Sequence, residues 1–152
     1  MNLIINILVK DNMKLDLLPF SNMLYYNIIK LGEIIMKIAY VFKSNMASTF
    51  QLGTMILPQL EDNSHMVNVI GMFFFDDNIM CLQKGNPVGE RLAKIAKEKK
   101  MLLMVCDQCA VRRELAEGTF EQCGSGEVKA KGLVDGVVAG CFPQLYSALG
   151  PN

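Results

Sequence analysis

The chain has 152 residues, enough for one domain with a substantial core and too few for two ordinary ones. Fifteen Lys and Arg balance fifteen Asp and Glu, which leaves no charge footprint for nucleic acid or an anionic membrane surface, so neither is an expected partner. Five cysteines, an odd number, and no readable cleavable signal peptide point to reduced thiols and a cytoplasmic setting.

In chain order, residues 1–35 differ from the rest: they are rich in Asn, Ile, Leu and Lys and contain no Ala, whereas Ala and Gly become common after Met36. Lys10, Asp11, Lys14 and Asp16 interrupt the apolar runs before any reaches the roughly 18 residues of a membrane span. An amphipathic interfacial helix is the alternative that survives this objection. Gly32-Glu33, encoded by GGN-GAR, resembles a bacterial ribosome-binding site upstream of Met36. The expectation is therefore a leader over 1–35 and a single domain over 36–152.

From Met36 onward, apolar runs alternate with helical periodicity, the pattern of β-α units. The expected fold is α/β, a single three-layer domain with a mainly parallel sheet flanked by helices. "KIAYVFKS" reads as the first strand, and "ASTFQLGTMILPQL" as a helix with Phe50, Met55 and Ile56 on one face, ended or kinked at Pro58. His65, just before the next strand, reads as a solvated surface residue. "MVNVIGMFFF" is an apolar second strand, as expected for one covered on both faces, and Asp76-Asp77-Asn78 is its turn. "MCLQKGNPVG" reads as a loop, with Cys81 a small buried hydrophobe. "ERLAKIAKEKK" is a helix with a charged outer face, and "MLLMVC" is a third strand ending in Cys106. "DQCAVRRELAEG" follows as a helix capped by Asp107 and closed by Gly118. After the loop "FEQCGSGEVKAKG", "VDGVVAGC" is a fourth strand ending in Cys141, and "FPQLYSALG" is a final helix with Pro143 in its first turn. The segment "GSGEVKAKG" lacks the G-K-[ST] ending of a phosphate loop.

Ligands and reactive groups of an open α/β sheet gather at the carboxyl ends of its strands, where Cys106 falls. A cysteine at a helix amino end is expected to have a lowered pKa, and Arg112 and Arg113 would add positive charge if the fold brought them round. Cys109 is spaced to attack a sulfur carried by Cys106, so this C-x-x-C suits thiol exchange. Cys123, in the loop, and Cys141 are candidate accessory thiols. A zinc site built from Cys106, Cys109 and Cys123 with Cys141 or His65 is the competing reading, although the second close ligand pair of common zinc sites is missing. A dithiol oxidoreductase is another, without the W-C-G-P-C surroundings of the thioredoxin type. A third possibility for the pair is plain core packing.

The stretch "LLMVCDQCAVRRELAEG" resembles the segment of the DsrE/DsrF/TusD sulfur-relay family in which a strand ends in a cysteine followed by a helix and an Arg-Arg-Gly turn, and is most similar to the DsrE-related group called SaoD. The likeness extends to "MKIAYVFKSNMAST", "VIGMFFFDDNIMCLQKG" and "VDGVVAGCFPQLYSALG". It implies that Cys106 carries a persulfide in a DsrE-like domain that assembles into homotrimers or hexamers and passes sulfane sulfur between sulfur-donor and sulfur-acceptor proteins; Cys109 is expected as the resolving thiol from its spacing, and no cofactor or bound metal is expected. Glu114 replaces the family's turn glycine and Cys109 its usual Ala. These differences favour a dithiol step, or selective handling of sulfur or selenium, over a one-cysteine carrier. Relatives also add a short final strand beyond "GPN".

Overall fold

The structure is a computed structural model that describes residues 37–44 and 46–150. The expectations for residues 1–35 and for the end of the chain lie outside the described residues. Four parallel strands form the sheet in the order β1 (Lys37–Phe42), β2 (Asn68–Phe74), β3 (Leu102–Cys106) and β6 (Val137–Gly140). A short antiparallel hairpin, β4 (Ala116–Glu117) with β5 (Lys129–Ala130), lies in the connection between β3 and β6.

Parallel pairing needs both faces of a sheet covered, which explains the near-continuous apolar strands. The register carries Tyr40, Met72 and Leu103 in one row and Phe42, Phe74 and Val105 in the next, and the Phe42 and Phe74 rings stack at 4.9 Å. This face meets α2 (Pro87–Lys99), whose Ala93 and Ala96 share a cleft with Leu103. Side chains alternate along a strand, so Phe73 and Met104 point the other way. There α4 (Phe142–Leu149) lays Phe142 against Phe73 and Phe75, at 5.5 and 5.4 Å between ring centres. Helices on both faces make the three-layer α/β domain expected from the sequence.

The first crossover departs from expectation. Ala47–Ile56 is π-helical, and only Leu57–Glu61 (α1) is α-helical. Pro58 stands at the start of α1, where its missing N–H does least harm, rather than ending a helix. A π-helix bonds i to i+5, so the apolar positions fall out of α-helical phase. Ala47, Ser48 and Leu52 turn inward, whereas Phe50 and Met55 are exposed and only Ile56 of the expected face packs on the core.

Asp76-Asp77-Asn78 is not a free turn but the start of a 3-10 helix, Asp76–Leu82, that takes up part of the expected loop. Helix α2 starts earlier than its charged pattern suggested, because the Asn86 side chain caps it by accepting from the Val88 and Gly89 N–H groups. The helix after β3 is much shorter than expected: α3 spans Asp107–Arg112, and Glu114, at φ 57°, turns the chain toward β4. Gly118 lies beyond that hairpin strand and closes no helix. The loop after it holds a 3-10 turn, Phe120–Gln122, and β5, while β6 is confined to Val137–Gly140. Among the described residues, no helix is long and apolar enough to cross a membrane.

Candidate functional site: a cysteine cluster at the carboxyl edge of the sheet

Cys106 ends the inner strand β3 and serves as the N-cap residue of α3, though its side chain makes no capping hydrogen bond. Asp107, expected as the cap, sits instead inside the first turn. It is 1% exposed; Oδ1 accepts from the Gln108 N–H at 2.7 Å and Oδ2 from the Gly124 N–H at 2.6 Å. The carboxylate therefore holds the Cys123–Gly124 loop down onto the end of β3.

Cys109 follows one turn later and is free, as is Cys106, with the two 9% and 7% exposed. The Cys109 sulfur accepts from the Asp76 N–H at 3.2 Å, and its S–H lies 3.8 Å from Asp76 Oδ1. Asp76 has φ 50°, a left-handed conformation that Asp tolerates better than most residues. Arg113 donates to the Cys109 carbonyl at 3.2 Å and pairs with Asp77 Oδ1 at 2.6 Å. Its charge is thus matched by a carboxylate before it reaches a thiol. Arg112 turns away, stacking its guanidinium 5.1 Å from the centre of the Phe120 ring.

The other flank is built by β6. Parallel pairing sets Cys106 opposite Gly140, so Cys141 is the next residue beyond that pair on the same edge. Cys141 caps α4: its sulfur accepts from the Gln144 N–H, and its own N–H donates to Gln144 Oε1 at 3.0 Å. Gln144 Nε2 also donates to the Gly124 carbonyl. Gly124 is thus gripped on both sides, by Asp107 and by Gln144, and this sets half-buried Cys123 beside the Asp107 carboxylate and Cys141.

The expected lowering of the Cys106 pKa does not occur. Burial pushes the thiol up to about 12; the backbone N–H of Cys109 pulls it down, while the neighbouring Cys109 thiol and the Asp107 charge push it further up. A helix of six residues supplies too little dipole to offset that desolvation. Burial and then the Asp107 carboxylate also raise the Cys123 thiol.

Cys81 is a core residue as expected, 3% exposed and raised to about 12 by burial. His65 is held away from the thiols, at the amino end of β2, between the Tyr40 hydroxyl at 3.0 Å and Gln59 Oε1 at 2.9 Å. Among the described residues no group of three or more His, Cys, Asp or Glu could hold a metal ion. A cleft of about 760 Å³ lined by residues such as Lys84, Lys94 and Met101 contains no cysteine.

Of the residues singled out in the sequence, the fold sets Cys106 beside Cys109 and Cys123 beside Cys141 at one edge of the sheet, places Arg113 beside Cys109, and leaves Arg112 aside. Asp76 and Gln144 were not foreseen as site residues. The signals for them were the acidic pair at the end of the strand neighbouring Cys106, and a Gln three residues after a helix-capping cysteine. The site is of one class: reduced thiols gathered where a parallel sheet presents its carboxyl ends. Compared with known protein families, with characterised proteins and with solved structures, the chain matches none.

Proposed function

We propose that the protein is a cysteine-based sulfur-relay protein of DsrE-like type, in which Cys106 carries a sulfane sulfur as a persulfide and Cys109 acts as the resolving thiol. The observation that carries this reading is the pair of free, adjacent, nearly buried thiols at the carboxyl end of an inner strand. A persulfide is consumed by stray thiols and oxidants, so a carrier gains from a site that water and small reagents reach poorly. A thiol with a raised pKa is also a slow leaving group, which favours holding the sulfur until an aligned acceptor arrives.

In this reading the Cys106 thiolate attacks the terminal sulfur of a donor persulfide. The new S–S bond forms on Cys106, and the donor departs as a thiolate. Delivery either passes that sulfur to an acceptor thiol or ends with Cys109 attacking Cys106, which leaves a disulfide and releases the sulfur in reduced form. Donor and acceptor are proteins carrying reactive cysteines, the setting is the cytoplasm, and the chain works as a homotrimer or hexamer. The test is incubation with a persulfide donor, alkylation, and mass measurement of tryptic peptides. Extra sulfur is expected on peptide 101–112, and its absence there would refute the reading.

The same adjacency favours a second reading, dithiol–disulfide exchange without carried sulfur. Equilibration with glutathione separates the two: a Cys106–Cys109 disulfide formed reversibly, in a protein that never gains sulfur mass, would select exchange.

A further inference from the structure

Resting on the sulfur-relay reading, we propose that Asp76 is a catalytic residue of the resolving step: its backbone N–H holds the Cys109 sulfur in place, and its carboxylate takes the Cys109 proton as that sulfur attacks the persulfide on Cys106.

The step is internal to the chain, so no second protein has to reach the buried pair. The Cys106 and Cys109 thiols are in hydrogen-bond contact, and the Cys109 backbone N–H also donates to the Cys106 sulfur. The resolving sulfur therefore lies beside the one it must attack. A thiol attacks an S–S bond only as it gives up its proton, and at Cys109, 9% exposed, few groups can accept it. His65 is engaged by Tyr40 and Gln59 at the amino end of β2. Arg113 is a donor paired with Asp77, and the Asp107 carboxylate accepts from Gln108 and Gly124. Asp76 remains: its Oδ1 faces the Cys109 thiol at 3.8 Å, and its N–H donates to the same sulfur at 3.2 Å. The thiol–carboxylate contact is long, as catalytic hydrogen bonds often are before the reacting complex forms.

The chain after β2 is built to hold Asp76 there. Asn78 is 5% exposed; its side chain accepts from the Ser48 N–H at 3.0 Å and donates to the Ser44 and Phe75 carbonyls at 3.2 Å each. The entry to the 3-10 helix is thereby pinned to the end of β1, and Asp76, at φ 50°, aims its N–H at Cys109. Asp76 also borders a cleft of about 380 Å³, with Lys43, Thr49 and Asp77 on its walls, through which the proton passes to water.

The step balances without an outside oxidant or reductant. Cys109 sulfur attacks the inner sulfur of the protonated Cys106 persulfide, a Cys106–Cys109 disulfide forms, and the bond to the outer sulfur breaks. The outer sulfur leaves with the bonding pair as hydrosulfide, so the carried sulfur is reduced while the two cysteines are oxidised. The Cys109 proton goes to the Asp76 carboxylate and from there to water.

Both cysteines fall on tryptic peptide 101–112, so one peptide reports the carried sulfur and the disulfide that replaces it. The full chain is loaded with inorganic tetrasulfide, excess reagent is removed, and free sulfide and alkylated 101–112 are followed over time, normalised to the sulfur loaded. Loss of the sulfur is expected in step with free sulfide and with an internal disulfide. Asn tolerates a left-handed backbone and Gly adopts it freely, so Asp76→Asn and Asp76→Gly both keep the turn and its N–H while removing the carboxylate. In each, the loss should slow by about a hundredfold, and excess formate should speed it in Asp76→Gly. A carboxylate that only repelled charge would disfavour the thiolate, so loss in Asp76→Asn as fast as in the unaltered chain, or faster, would overturn the proposal. Slow loss in Asp76→Gly that formate leaves unchanged would overturn proton acceptance and reduce Asp76 to a structural part. Loading in the unaltered chain but in neither variant would overturn its assignment to the resolving step. Sulfur that leaves the unaltered chain without an internal disulfide would overturn the role of Asp76 and leave Cys106 as carrier. No sulfur on 101–112 of the unaltered chain at any time would overturn the relay reading itself.

Discussion

Desolvation outweighs the helix terminus at Cys106, and this decides its reactivity with small reagents. With its thiol pushed up to about 12, little thiolate exists near neutrality. Iodoacetamide should label 101–112 at Cys106 more slowly than it labels a free cysteine at pH 8, and the rate should climb about tenfold per pH unit toward pH 10. A rate that levels off by pH 9 would show an ordinary thiol. Glu114 offers a second test, since it holds φ 57°, a conformation that costs an L side chain about 1–2 kcal/mol. The helical period of "DQCAVRRELAEG" gave no sign of this turn, because Glu favours helix. Only the resemblance, with glycine at this position, pointed there. Glu114→Gly should raise stability by about 0.5–1 kcal/mol, the relieved strain less the added chain entropy, read as a higher urea midpoint.

Among the elements, α2 shows how local chemistry sets the fold around the site. Its Asn86 cap accepts two N–H groups, and Asn86→Ala should cost about 1 kcal/mol. Three residues on, Gly89 faces the 3-10 helix so closely that a Cβ would stand 2.3 Å from the Cys81 carbonyl oxygen. Gly89→Ala should therefore cost about 3 kcal/mol, although Ala is the better helix former, and thermal melting would show it. The strands and the long helix were legible because apolar runs and a charged 3.6-residue period are strong signals: β1, β2 and β3 fall within the expected segments, and α2 follows its own but begins three residues earlier, at Pro87. The π-helical stretch was not, since period reasoning assumes α-helical phase and so placed Phe50 and Met55 inside. Nor was the shortness of α3, which depends on a hairpin of two-residue strands too brief to leave a pattern.

For the whole molecule, the parallel sheet draws residues far apart in sequence to one edge, which is why Cys106 and Cys109 were readable from their spacing, whereas Cys123 and Cys141 could be named only as candidate accessory thiols. It also buries thiols, and that gives the fold a pH dependence. Cys81 and Cys106 both stand near 12 when folded, against an ordinary value of 9.0. Between those values the unfolded chain has lost protons that the folded chain keeps, so stability is full below about pH 9 and falls as pH rises toward 12. Urea midpoints measured across that window should decline, and the slope should be shallower in Cys81→Ala even though that chain starts less stable.

The most direct test of the central claim, that Cys106 is the sulfur carrier, is intact and peptide mass measurement of the unaltered chain beside Cys106→Ser and Cys109→Ser after exposure to a persulfide donor at equal, limiting concentration. The account predicts one added sulfur on 101–112 in the unaltered chain and none there in Cys106→Ser. In Cys109→Ser the sulfur should load and persist longer, because no neighbour can resolve it as a disulfide. Equal loading of 101–112 with and without the Cys106 thiol would contradict it.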